Sequence, residues 1–429
     1  MLIDAENKPV WIMATMLGLL IGANNLIKIL RDSLFLGHHA VSELPHLYIL
    51  VAVIAGAIIA LYTRYTENVS IVRLMLWTNA VILVSVVFFW LVLTYHDAGW
   101  SHYAFYIWSA MPTVIAVAQT WTLANHIFNE EQGKRYFGLI AAGGTIGGLA
   151  ASFGASWTLS LYAESKHLLW LVGAIYITAS ALLLWARRRV HPPGEIARRE
   201  SSSAGIYKAG IGELISDSSY LKILAMIILV SVIVSTLIDF HFKVGAKGAN
   251  SSAHDLAGFF SLYYGWLNVA TLFFQVVVTG RLLSRIGIRA SLYVTPSMLL
   301  AGATAITIWP GLPASMLTRM GDVVLRNSVH RSGMEMLYMP LPPDVVKAVK
   351  TFLDVVVERI GDASAGFIIL GVSLLSLQDY IGYIHLICVG LISIWFALTR
   401  FLQARCLVRL GDRLTVCEPC AAPSWLERD

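Results

Sequence analysis

Apolar runs of nearly membrane-spanning length recur from one end of this chain to the other. Among them are "IMATMLGLLIGANNLI", "LYILVAVIAGAIIALY", "AVILVSVVFFWLVL", "ILAMIILVSVIVSTLI" and "HLICVGLISIWFAL". A helix needs about 20 residues to cross about 30 Å of hydrocarbon. Only 13% of the 429 residues are charged, about half the share usual in a soluble domain. An all-α membrane protein follows, because hydrocarbon admits no unpaired backbone groups and a helix satisfies its own.

Charge clusters, Gly/Pro punctuation and polar gaps divide the chain into twelve expected transmembrane helices. Their cores lie near 9–30, 47–65, 72–95, 103–128, 136–160, 168–187, 220–242, 258–281, 290–309, 312–338, 350–376 and 379–403. The opening "MLIDAENKPVW" has no basic stretch of the signal-peptide kind, so the first run is expected to remain as a span. Connections after even-numbered spans carry Arg64 and Arg73, Lys134 and Arg135, Arg188 and Arg189, Arg281, Arg285 and Arg289, and Lys347 and Lys350; the opposite connections carry few cations. The positive-inside rule then puts the even-numbered connections and both termini on the cytoplasmic side. The net charge of +5 reflects that topology and implies no nucleic-acid partner.

One long, basic, Pro/Ser-rich stretch at 191–219 reads as a cytoplasmic linker between six-helix bundles at 1–190 and 220–405, with a cytoplasmic tail at 406–429. Cys417 and Cys420 form a lone C-x-x-C in that tail, without a second ligand pair, so no metal or cofactor is expected. The two bundles also look duplicated. "EEQGKRYFGLIAAGGTIGG" and "DVVKAVKTFLDVVVERIGDASAG" each lead into a span, and Lys134 matches Lys350 as Gly143 and Gly144 match Gly361. After span 8, "GRLLSRIGIR" resembles the cytoplasmic signature of major-facilitator transporters, with Gly280 and Gly287 permitting turns and Arg285 and Arg289 anchoring helix ends. "AAGGTIGG" lacks the Lys-Ser/Thr of a phosphate loop and in a span means close helix packing.

Charges inside spans cost about 2.5–3.5 kcal/mol each at a helix centre, so they are expected to face a cavity or a partner. Spans 10 and 11 hold nine: Arg319, Asp322, Arg326, Arg331, Glu335, Asp354, Glu358, Arg359 and Asp362. Arg319, Asp322, Arg326 and His330 share one face of span 10, while Asp354, Glu358 and Asp362 form an acidic stripe on span 11. The two stripes are expected to pair across a helix interface, to line a solute path, or both. Span 1 ends in Lys28, Arg31 and Asp32, and span 7 in the i, i+4 pair Asp239 and Lys243. Lys28, Arg31, Asp32, Asp239, Lys243, Arg319, Asp322 and Arg326 are the candidate solute contacts. Glu335, Asp354, Glu358, Arg359 and Asp362 are the candidate gating or coupling groups. No Ser-His-Asp order or metal-ligand cluster argues for an enzyme.

"LRDSLFL", "ANHIFNEEQGKRYFGLIAAGGTIGG" and, above all, "MEMLYMPLPPDVVKAVKTFLDVVVERIGD" resemble the nucleotide transporters (ATP/ADP translocases) of plastids and intracellular bacteria and their bacterial relatives. The resemblance implies a major-facilitator fold of twelve helices in two six-helix pseudo-repeats, and exchange of ATP for ADP by alternating access. Of the nucleotide-contacting positions it implies, Asp239 keeps the expected negative charge. The cation expected beyond Arg31 and Asp32 is missing at Ser33 and Leu34, Tyr106 replaces a glutamate two residues before Trp108, and Asp362 stands after Gly361 where a lysine is expected. The expected protein is a monomeric secondary transporter, in the lipid bilayer, of a small anionic or zwitterionic solute, an organic anion or nucleotide. A carrier of another metabolite or amphiphile, or a transport-inactive scaffold or sensor, is the alternative.

Overall fold

The computed structural model describes residues 8–66, 70–96, 98–162, 164–187, 215, 218–341, 343–375, 380–410 and 413–416. Most of the expected linker, and Cys417 and Cys420, lie outside them. The chain is helical almost throughout: α1 (Lys8–His38), α2 (Leu44–Thr66), α3 (Ile71–Tyr95), α4 (Gly99–Ile127), α5 (Glu130–Leu161), α6 (Leu168–Arg187) and α7 (Ser219–Ala249). Then come α8 (Ala253–Gly287) and α9 (Arg289–Ile308). The helices α10 (312–338), α11 (343–374) and α12 (380–406) each contain a single π turn, at Arg326–His330, Leu353–Val357 and Leu402–Cys406. A short antiparallel hairpin, with Leu407 opposite Val416, follows α12.

Among the described residues, nine helical segments are long and apolar enough to cross a membrane; α4, α10 and α11 are not among them. The sequence places the end of the first span at its charges, yet α1 runs on to His38 and α7 to Ala249. Backbone bonds inside a helix are indifferent to side-chain polarity, so the hydrocarbon-facing run and the helix need not end together. Large apolar side chains such as Trp77, Val84, Trp157 and Ile308 point outward, as lipid-facing surfaces require.

Contacts divide the chain into two compact units. Unit 1 comprises 1–43, 57–196 and 246–272; unit 2 comprises 44–56, 197–245 and 273–429. In unit 1, α1 packs along α5 through small residues. A Cβ on Gly18 would fall 2.8 Å from the Gly143 carbonyl oxygen, and one on Gly143 would fall 2.7 Å from that of Ala14. Asn25 Nδ2 adds bonds to Gly148 O at 3.3 Å and Ser152 Oγ at 3.4 Å. "AAGGTIGG" thus serves close packing. On the outer flank Asn79 donates to Ser180 Oγ, tying α3 to α6, and Gln119 donates to Thr78 Oγ1, tying α4 to α3.

In unit 2, Gly361 of α11 lets Val232 of α7 approach, with a Cβ there meeting Val232 at 2.7 Å. Gly361 thus does at the α7–α11 contact what its counterpart Gly143 does at α1–α5. Gly287 has φ 74° and breaks α8 from α9, whereas Gly280 lies inside a helix and makes no turn. Arg289, just past that break, donates from Nη2 to Leu407 O, and Gln403 donates to Arg289 O at 2.8 Å. The arginine of the "GRLLSRIGIR" loop therefore anchors the end of α12.

Candidate functional site

Helix α7 carries Ser231, Ser235, Thr236, Asp239 and Lys243 on successive turns, and α10 carries Arg319, Asp322 and Arg326. In unit 2 these make one ladder of alternating charge. Lys243 Nζ lies 2.8 Å from Asp239 Oδ2, Arg319 Nη2 lies 3.0 Å from Asp239 Oδ1, and Arg319 Nη1 lies 2.8 Å from Asp322 Oδ2. The ladder ends with Arg326 Nη2 at 3.1 Å from Asp322 Oδ1. The Asp322 side chain is fully covered, while Arg319 and Arg326 keep 20% and 26% exposure. An ionised carboxylate survives such burial only if its lone pairs are met, and here two guanidiniums and the Ser235 hydroxyl, at 2.6 Å, meet them.

Backbone groups complete the ladder. Arg319 Nη1 also donates to Ser235 O and Oγ, and Arg326 Nη2 to Ser231 O at 2.9 Å. The buried Nε–H of Arg326 has no hydrogen-bond partner among the described residues. Arg326 opens the π turn of α10, and π turns are common where a helix re-aims a functional side chain. From the start of α2, Tyr48 OH donates to Asp239 Oδ2 at 3.3 Å, and its ring lies 5.4 Å beneath the Lys243 ammonium.

The stripes of α10 and α11 pair differently from the expected cross-helix pattern. Arg319 and Arg326 are met by Asp322 on their own helix and by α7. On α11, Arg359 Nη1 binds Asp362 Oδ2 at 3.0 Å and lies 3.6 Å from Glu358, while Thr236 of α7 donates to Asp362 Oδ1 at 2.9 Å. Lys350–Glu335, at 2.5 Å, bridges α10 and α11. Nor are all nine charges sheltered: Arg331, Glu335 and Asp354 are exposed. They sit where α10 and α11 approach their connection, and charged side chains there reach water instead of hydrocarbon. His330 leaves the charged face and packs edge-on against Trp395, with centroids 5.5 Å apart.

The predicted residues of α1 form a second cluster, in unit 1. Arg31 grips Asp32 with two bonds of 2.8 and 2.9 Å and lies 4.8 Å over the Tyr106 ring, and Tyr264 OH donates to Asp32. Lys28 stands one turn earlier, partly exposed. At the end of α1, His38 stacks on His102 at 4.3 Å, and His39 Nε2 lies 3.3 Å from His102 Nδ1. Lys247 donates to the carbonyls of Leu36 and His39. No group of three or more His, Cys, Asp or Glu among the described residues is arranged to hold a metal.

Sequence reading missed Tyr48, Ser235, Thr236 and Lys247. Ser235 lies one turn before Asp239, so hydroxyls spaced i, i+4 from a buried acid were a usable signal. Tyr48 reaches Asp239 from α2, and Lys247 of α7 reaches the end of α1, so neither contact leaves a local pattern.

The profile of the TLC ATP/ADP transporter family matches residues 78–310. ADP,ATP carrier protein 2 of Chlamydia pneumoniae is 23% identical over 382 residues, spanning 76% of this chain and 69% of that carrier. ADP,ATP carrier protein 4 of Rickettsia prowazekii is 23% identical over 310 residues, spanning 63% of this chain and 60% of the carrier. Among solved structures, the nucleoside transporter NupG superposes with TM-score 0.59 at 13% identity, over 94% of this chain and 99% of that one. An auto-inhibited POT family peptide transporter reaches 0.65 at 11% identity, over 95% and 98%. At such identities the structural likeness shows the fold, which is that of major-facilitator transporters.

Proposed function

Because this chain belongs to the TLC ATP/ADP transporter family, we propose that it is a secondary transporter that exchanges a nucleotide or a nucleotide-related anion by alternating access. The observation that supports this reading is the ladder Lys243, Asp239, Arg319, Asp322 and Arg326. Such charges are costly in a hydrocarbon-spanning protein and mark solute or ion paths. Guanidiniums held in place and partly exposed suit a phosphate, which accepts two parallel N–H bonds.

In this reading Arg319 and Arg326 contact the anionic part of the solute within unit 2, beside Asp239, which the covered Lys243 holds in place; in unit 1, Lys28 and Arg31 are the candidate contacts, with the covered Asp32 holding Arg31. The α11 set Asp354, Glu358, Arg359 and Asp362, with Glu335, couples or gates the movement. The moving bodies are the halves 1–190 and 220–405 joined through 191–219, and both termini face the cytoplasm, as the basic connections imply. The protein works as a monomeric carrier without a cofactor, and no enzymatic step is assigned to it.

Counterflow into proteoliposomes loaded with unlabelled nucleotide tests the reading. Saturable uptake of labelled ADP or ATP that depends on internal nucleotide is expected. Absence of uptake of every nucleotide by folded protein would overturn it.

A further inference from the structure

A solute bearing several negative charges meets, at this ladder, cations that already hold carboxylates. Three cations, Lys243, Arg319 and Arg326, face Asp239 and Asp322, so the ladder retains one net positive charge. Within it the two carboxylates differ. Asp239 keeps 16% side-chain exposure, whereas Asp322 is covered completely and is bonded by both guanidiniums. Its oxygens are divided between them: Oδ2 takes Arg319 and Ser235, and Oδ1 takes only the Nη2 of Arg326, leaving the adjacent Nε–H of that guanidinium without a partner. A single carboxylate thus orients both arginines and tempers the charge of both, yet fills neither two-pronged donor edge by itself.

We propose that Asp322 is the specificity-determining residue of the site, a built-in counter-anion that sets how much negative charge the solute carries. This rests on the reading that Arg319 and Arg326 hold the anionic part of the solute. Asp322 is too deeply placed to touch the solute and acts through the guanidiniums, so it is a positioning residue. Its charge opposes every added phosphate through the low-dielectric surroundings, where screening is weak. Removing that charge, with the shape kept, doubles the net positive charge of the ladder.

The experiment compares wild type, Asp322→Asn and Asp322→Glu as purified full-length protein in two assays. One is binding of inorganic pyrophosphate, read by thermal shift; the other is counterflow of adenosine, AMP, ADP and ATP. The Asn variant is expected to bind pyrophosphate about tenfold more tightly and to shift its ranking about tenfold toward the more charged nucleotides, while the Glu variant keeps the wild-type ranking. A folded Asn variant with wild-type pyrophosphate affinity and ranking overturns the proposal, as does a Glu variant that shifts like Asn. Should the Asn variant not fold, the charge-relocated double variant Asp322→Asn with Ser235→Asp carries the test, because Ser235 lies 2.6 Å from Asp322 and also bonds Arg319: the wild-type ranking supports the proposal, and a shift toward ATP overturns it. If no nucleotide is carried even by wild type, the transport reading fails, while the pyrophosphate arm still decides the role of Asp322.

Discussion

Gly147 of α5 lies directly on Gly18 of α1, so close that a side-chain carbon on Gly147 would overlap the carbonyl and Cα of Gly18. Helices in hydrocarbon gain no hydrophobic drive from meeting, and close backbone packing takes its place. Gly147→Val is therefore expected to lower stability by about 1–3 kcal/mol or more through overpacking. Gly154, on the same helix with nothing within 4 Å of an added Cβ, serves as the control. Its change to Ala should be neutral or slightly stabilising, because Ala is the better helix former. Melting temperatures in detergent check both, and equal losses at the two positions would refute the packing argument.

Glycine packing was legible in the sequence because a stripe of small residues in an apolar run has few other uses. The membrane helices were legible for a similar reason: backbone bonding in lipid leaves little choice. The i, i+4 pair of Asp239 and Lys243 was also readable, since helical spacing fixes it. What the sequence could not display was partner choice between helices. Arg319 and Arg326 had a whole acidic stripe on α11 available, yet they turn to Asp322 and to α7. Tyr48 reaches Asp239 across 191 residues of chain, a relation no local periodicity encodes. Likewise the exposure of Glu335 and Asp354 depends on where the helices end, which hydropathy places only coarsely.

Asp239→Asn would strip Lys243, whose side chain is 2% exposed, of the carboxylate 2.8 Å away. Breaking a buried pair from one side costs about 3–5 kcal/mol, whereas replacing both partners by apolar groups is often tolerated. The single variant should therefore melt well below wild type, and Asp239→Asn combined with Lys243→Met should recover much of the loss. Tyr48→Phe removes one hydrogen bond of 3.3 Å and should cost about 1 kcal/mol. Melting of Asp239→Asn, Lys243→Met and the double variant closes a double-mutant cycle, with Tyr48→Phe measured beside it; additive losses for Asp239 and Lys243 would show that the two do not act as a pair.

Lys247 bonds the carbonyls of Leu36 and His39. The last carbonyls of a helix have no partner within it, and a cation there satisfies them while favouring the negative end of the helix dipole. Lys247→Met is expected to raise amide hydrogen exchange around residues 36–43 severalfold with little change in α5. Protection left unchanged at the end of α1 would show that the ammonium is dispensable there.

Arg326→Lys separates charge from donor geometry at the end of the ladder. Lysine keeps the positive charge but offers one flexible ammonium in place of a planar fork. Arg326 now reaches Asp322 Oδ1 and Ser231 O through Nη2 while its Nε–H stays unpaired. If a solute phosphate engages the edge formed by those two nitrogens, lysine cannot reproduce the two-pronged contact. A charge-assisted hydrogen bond contributes about 1.5–3 kcal/mol, so nucleotide counterflow should fall roughly ten- to hundredfold. Melting temperature should change little, because lysine can still neutralise Asp322. Counterflow rates beside melting curves decide it: near-normal transport would mean that charge alone suffices at this position, and a parallel loss of stability would place Arg326 in the scaffold and not at the solute.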